Sequence, residues 1–256
     1  MKITYLSYSQ ISCWLACAKK YALRYGEKVR LPVGVALPIG SAVHAGAAYN
    51  LSQKIDSKED LDVEKVGEFA RHDFIDRAAS EEIDWDGATP DECADLAWTL
   101  AELHTAELAP QIQPLLVEHK LSCDLLGRGW DLLGYVDLVD ESKHIVDLKT
   151  AGRAKSSTAL DTDLQLTLYS ALWRATTGTE EAGLRHDVLI KPTKTRDART
   201  QQVLTTRTEA QLSEALTLVG NVADAIEAEC WPANPGQSCG WCEYRKTSYC
   251  NLGGVK

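Results

Sequence analysis

Apolar residues recur every three or four positions through "SQISCWLACAKKYALRY". That is the period of one helix face, and it predicts a helix after a Ser cap. "LPVGVALP" reads as a loop from its Pro and Gly content, and "GSAVHAGAAYNLSQK" starts a second helix, which carries His44. Helical spacing continues over residues 57–109, broken at "WDGATPDE", and predicts a helical lobe. The period then shortens. "IQPLLVEHKLSCDL", "RGWDLLGYVDLVD" and "KHIVDLKT" are β-type runs parted by short Gly-containing or charged turns, the pattern of an antiparallel meander. "DTDLQLTLYSALWRATTG" returns to a helical repeat that ends at Gly178. "GLRHDVLIKPT" and "RTQQVLTTR" predict two more strands, and residues 208–229 a long helix. From Cys230 onward the chain is irregular and rich in Cys and aromatic residues. The order predicts a mixed α/β core with a helical lobe inserted at 56–109 and a cysteine-rich tail at 230–256, in one domain over 1–256.

Composition narrows the class. Of the 256 residues, 45% are hydrophobic and 25% charged, the balance of a globular protein able to bury a substantial core. No apolar run approaches a membrane span, and "MKITYLSYSQ" lacks the apolar centre of a signal peptide, so a cytoplasmic protein with no membrane partner is expected. The net charge of −10 argues at first against a nucleic-acid partner. However, Asp56 to Glu107 holds 17 acids and 4 bases, a local charge of −13, so the rest of the chain carries +3. Basic residues gather at Lys19, Lys20, Arg24, Lys28 and Arg30, and again at Lys191, Lys194, Arg196 and Arg199. Local patches decide whether a phosphate backbone can dock, so DNA binding is permitted.

The strand "HIVDLKT" turns Asp147 and Lys149 to the same side, because strand side chains alternate. A salt bridge is one explanation for a carboxylate and an ammonium in a buried strand. Asp137, one turn away in "GYVDLVD", suggests another. Two carboxylates on adjacent strands can converge on one hard cation, and Glu118, a strand earlier, could join them or hydrogen-bond water there. Gln165 and Tyr169, four residues apart in "QLTLY", share a helix face that can reach the strand ends.

"GSAVHAG", "GYVDLV", "IVDLKT" and "QLTLY", in that order, resemble the successive motifs of the RecB-type PD-(D/E)XK nucleases, especially the Cas4-like group. "LSYSQISCWLACAKKYALRY" and "CGWCEYRKTSYC" resemble that group's opening and closing cysteine segments. The acidic lobe matches no part of the family pattern. The resemblance implies a restriction-endonuclease-like mixed sheet flanked by helices, and a metal-dependent deoxyribonuclease. The expected form is an exonuclease on single-stranded or frayed DNA ends. It implies that His44, Asp137 and Asp147 ligate Mg²⁺ or Mn²⁺. Lys149 would stabilise charge or orient the attacking water, and Gln165 and Tyr169 would support the site or contact DNA. The chemistry suits these residue types: a divalent cation lowers the pKa of water and polarises a phosphoryl oxygen, and a lysine adds fixed charge where negative charge develops. Implied partners besides DNA are a helicase, a recombinase or a CRISPR integrase, and an oligomer is compatible. The alternatives are a CRISPR adaptation partner, or an accessory DNA-binding module with little activity of its own.

Cys239, Cys242 and Cys250 place three thiols close together, one short of a tetrahedral set. Cys17 is the family-matched fourth, with Cys13 and Cys230 as competitors. Spacing alone leaves zinc and a [4Fe–4S] cluster open; the resemblance implies the cluster, as a clasp joining the chain ends.

Overall fold

The computed structural model describes residues 1–250, the Lys246 side chain excepted, so the last six residues of the expected tail lie outside the described residues. The chain opens with β1 (Tyr5–Ser7), α1 (Tyr8–Ala16) and α2 (Ala18–Tyr21), then β2 (Val33–Gly34) and α3 (Ala36–Ser57). The lobe follows as α4 (Val63–Ser80), β3 (Ile83–Asp84) and α5 (Pro90–Leu103). The meander is β4 (Pro114–Cys123), β5 (Asp131–Asp140) and β6 (His144–Ala151). Then come α6 (Ser157–Leu160), α7 (Leu164–Thr177), β7 (Gly183–Ile190), β8 (Arg199–Thr205) and α8 (Glu209–Glu227).

Two boundaries differ from expectation, each for a local reason. The first helix is interrupted at Cys17, whose backbone is extended (φ −168°, ψ 113°) and which ends α1 before α2 begins. α3 begins a turn earlier than the loop reading of "LPVGVALP" suggests. Pro38 falls in its first turn, where a missing N–H costs nothing. Elsewhere the local signals hold: Gly178 caps α7 in the left-handed conformation (φ 68°), and Thr208 with Gln211 closes a capping box on α8.

The six strands of the main sheet are mixed in direction. β5 pairs antiparallel with β4 along one side; its other side is shared, with β1 parallel at Asp131–Leu133 and β6 antiparallel at Leu138 and Val139. β6 and β7 run parallel, joined by the crossover through α6 and α7 that a parallel pair requires, and β8 returns antiparallel. Ile11 of α1, Leu166, Leu168 and Leu172 of α7, and Val219, Val222 and Ile226 of α8 pack on one face of the sheet with Leu132 and Ile145. The other face, through Leu138, Val146, Leu148 and Leu189, packs against Val43 of α3, Phe74 of α4 and Leu100 of α5. The result is a sheet between two helical layers, in agreement with the expected class. No helix among the described residues is long and apolar enough to cross a membrane.

Candidate active site

Sheet register brings the candidate residues into line. Val117 faces Leu138 and His119 faces Val136, so Glu118 lies across from Asp137. Leu138 faces Val146, the last pair before β5 and β6 part, so Asp137 stands across from Asp147 just where the ladder ends. Asp147 in turn pairs with His186 on β7. Glu118, Asp137, Asp147 and His186 thus form one row across four strands. Where β6 leaves β5, the Asp137 carboxylate replaces the missing strand acceptor: the Leu148 N–H donates to its Oδ2 at 2.7 Å.

Three of these groups converge from separate elements. His44 of α3, Glu118 and Asp137 each place a ligand atom within 4.8 Å of the other two, with His44 Nδ1 3.4 Å from Asp137 Oδ1. Glu118 reaches this position from a left-handed backbone (φ 47°) inside a strand, a conformation costing about 1–2 kcal/mol for a residue with a Cβ. Asp147 lies beside this trio but is turned inward and only 1% exposed. Its carboxylate is gripped by Lys149 Nζ at 2.7 and 3.0 Å. Lys149 also donates to Gln165 Oε1 (2.9 Å), and Gln165 Nε2 donates to the Tyr169 hydroxyl (2.8 Å), so α7 fixes the ammonium from above. Tyr169 can lie over β5 because residue 134 is glycine; a Cβ there would stand 2.8 Å from the ring.

His186 escapes a reading of the sequence. It is fully buried, with Nε2 3.2 Å from Asp147 Oδ2 and 4.0 Å from Asp163 Oδ2. Lys155 Nζ sits 3.2 Å from its Nδ1. An ammonium only donates, so Nδ1 accepts and the ring proton resides on Nε2, which lies near Asp147 Oδ2 but makes no hydrogen bond among the described residues. A polar residue in the centre of "GLRHDVLI" is the one signal for His186, and its partner depends on the register of two strands far apart in sequence.

The electrostatics are those of crowded carboxylates. Burial, reinforced by the Asp137 charge and only partly opposed by Lys149, pushes Asp147 up to about 6. Burial and Asp137 also raise Glu118. Burial disfavours the His44 cation, but Asp137 and Asp147 outweigh it and raise its pKa. For Lys149, burial is likewise outweighed, chiefly by Asp147. Burial and the Lys155 charge depress His186 to about 4. Three acids against one lysine leave the row short of positive charge, and a donor set of carboxylate oxygens with one imidazole fits a hard divalent cation such as Mg²⁺ or Mn²⁺. A groove of about 550 Å³ along α3, lined by Leu37, Ser41, Ala45 and Arg77, opens directly onto His44 and Glu118.

The tail turns back on the first helices. The Lys19 N–H donates to the Pro232 carbonyl (3.3 Å), Lys20 pairs with Glu243 (2.7 Å), and the Tyr244 hydroxyl donates to the Val29 carbonyl (2.8 Å). Cys17, Cys239, Cys242 and Cys250 line one cavity there, and all are free thiols. Cys13 and Cys230, the competing candidates, do not line it. The extended backbone at Cys17 is what takes this thiol out of the helical path.

A mixed sheet between helical layers, with acids and a lysine on adjacent central strands at the end of an open groove, has the architecture of a nuclease. The chain belongs to the PD-(D/E)XK nuclease superfamily, whose sequence profile matches residues 5–250. Among solved structures, a provisionally assigned exonuclease from Eubacterium rectale has the same fold, with a TM-score of 0.59 over 90% of this chain and 84% of that one, at 16% identity. The comparison with curated proteins gives no match.

Proposed function

We propose that this nuclease is a divalent-metal-dependent deoxyribonuclease of the RecB-type, Cas4-like group. Its proposed action is exonucleolytic, on single-stranded or frayed DNA ends during recombination, repair or end processing. The observation that carries the reading is the row of Glu118, Asp137 and Asp147, joined by His44, at the end of a groove open to solvent.

His44, Asp137 and Glu118 are the residues that would hold the cation, with Asp147 alongside as the ligand implied by the family motif. Bound there, Mg²⁺ or Mn²⁺ supplies Lewis-acid polarisation of a phosphoryl oxygen and a water acidic enough to attack near neutral pH. The protein's own part is positional. Lys149, held between Asp147 and Gln165, presents a fixed ammonium where negative charge develops on the phosphate. Tyr169 and Gln165 keep it from swinging away, and His186 packs beside Asp147, its Nε2 3.2 Å from Oδ2. The groove along α3 would carry the strand.

We further assign a [4Fe–4S] cluster to Cys17, Cys239, Cys242 and Cys250, as a clasp between the chain ends. Four thiols around one cavity suit a tetrathiolate group. Zinc would suit the same four thiols; the resemblance of the opening and closing cysteine segments to the Cas4-like group is what favours the cluster.

The test uses anaerobically purified protein with Mn²⁺ on linear and circular single-stranded DNA, linear substrates being labelled at either end. Degradation of the linear form with the circle intact is expected, and the labels give the polarity. Cleavage of the circle would replace the exonuclease by an endonuclease. Cleavage of neither would move the weight to a CRISPR adaptation partner that requires other subunits.

A further inference from the structure

The groove that ends at His44 and Glu118 reaches Leu37 at its outer end, and Leu37 also lines a second depression built by residues 20–34 and the tail. The two depressions are neighbours, with this exposed leucine on the edge of both. Trp241 stands on the wall of the second depression and is 82% exposed. Its neighbours in the tail behave differently: Trp231 stacks on Tyr21 at 5.8 Å, and Tyr244 is buried. Cys239 and Cys242 turn to the inner cavity while the indole between them points out. Leaving a tryptophan in water forgoes one of the largest apolar contributions a side chain can make, so the position serves something other than packing.

The same depression is basic. Lys20 and Arg24 are answered by Glu243, at 2.7 and 3.5 Å, but Arg30 is exposed and has no carboxylate partner among the described residues. An exposed aromatic face beside an unpaired arginine, with Arg24 only loosely held by Glu243, matches the requirements of an unpaired strand. Phosphates need the cations, and a base needs a π-face to stack upon. A duplex keeps its base faces covered and could use only the charge.

We propose that this depression is a docking site for single-stranded nucleic acid, in which Trp241 stacks on an unpaired base and Arg30 and Arg24 pair with phosphates, the strand continuing past Leu37 into the groove. The direction of travel rests on the nuclease reading above, whereas binding at Trp241 does not.

The experiment measures binding of a fluorescein-labelled oligo(dT) by the anaerobically purified full chain in EDTA, where no metal-dependent cleavage occurs. Trp241→Ala is expected to weaken binding roughly tenfold, with Trp241→Phe restoring most of it. Arg30→Gln, on the opposite wall and away from the cysteines, is expected to weaken binding and flatten its salt dependence by about 0.7 in the log–log slope. Iron content and hydrolysis of bis(p-nitrophenyl) phosphate with Mn²⁺, a substrate too small to reach Trp241, should match wild type in Trp241→Phe and Arg30→Gln. Unchanged affinity in Arg30→Gln overturns the proposal, because a loss in Trp241→Ala alone would then reflect a disturbed cysteine loop. So does a Trp241→Ala variant that keeps its DNA affinity but changes its sedimentation, which would make the indole a protein contact. Failure of wild type to hydrolyse the small ester would strike the nuclease reading and leave the binding comparison decisive.

Discussion

Asp147→Asn separates the two explanations for an acid and a lysine side by side in a buried strand. If Asp147 serves a salt bridge, removing its charge must destabilise the protein. The structure predicts the opposite for the metal-free chain. Burial and the neighbouring Asp137 hold the Asp147 carboxyl at about 6, against an ordinary 3.8, despite the grip of Lys149. An acid whose pKa is raised on folding retains more protons in the folded state. Stability therefore falls as pH rises from about 4 to 6 and stays lower above it. At 1.36 kcal/mol per pH unit, the ionised carboxylate costs the fold about 3 kcal/mol at pH 8. Asn, neutral at every pH, is free of that cost. In EDTA, Asp147→Asn should melt roughly 6–10 °C above wild type at pH 8 and close to it at pH 4. Mn²⁺ should raise the melting temperature of wild type much more than that of the variant, because the proposed cation would offset the charge of the carboxylate row. A variant that melts below wild type at pH 8 in EDTA would refute this reasoning and return Asp147 to a structural ion pair.

Other positions test the surroundings. Gly134→Ala places a Cβ 2.8 Å from the buried Tyr169 ring, and should cost about 1–3 kcal/mol in urea denaturation and slow cleavage by shifting Gln165 off Lys149. Lys149→Met should lower turnover on DNA by about 100-fold or more with little change in Mn²⁺ affinity by calorimetry, since it removes a charge that acts on the substrate. Burial opposes the Glu181 carboxylate, but Arg174 and Ser170 outweigh it and lower its pKa. Its contribution is therefore present above the ordinary 4.5 and lost below it. Glu181→Gln should destabilise by about 2 kcal/mol at pH 7, with the difference from wild type shrinking as the pH falls below 4.5. On the proposed cluster assignment, Cys17→Ser should abolish the visible absorbance expected of anaerobically purified wild type and loosen the tail to limited proteolysis.

The strands and helices were legible because each carries its own period. "HIVDLKT" alternates, "LTLYSALW" repeats at helical spacing, and Gly178 and Thr208 mark ends that depend only on local backbone. Asp137 and Asp147 could be brought together from sequence, since a short turn joins β5 and β6 and leaves few possible registers. His186 could not. It meets Asp147 through a parallel pair whose register is fixed by the crossover through α6 and α7, and no local pattern encodes it. The left-handed Glu118 and the interruption at Cys17 are hidden for a related reason. A positive φ at one strand residue and a single extended residue between two helical segments leave the apolar spacing on either side unchanged.

Metal-dependent phosphodiester cleavage by the Asp137–Asp147–Lys149 row is tested most directly on end-labelled single-stranded DNA. Wild type would be compared with Asp137→Asn and Asp147→Asn, each with Mn²⁺ and with EDTA. Cleavage by wild type in Mn²⁺ alone, lost in both variants while they remain folded by circular dichroism, is the predicted result. Cleavage that survives EDTA, or that persists in both variants, would contradict the assignment of the site.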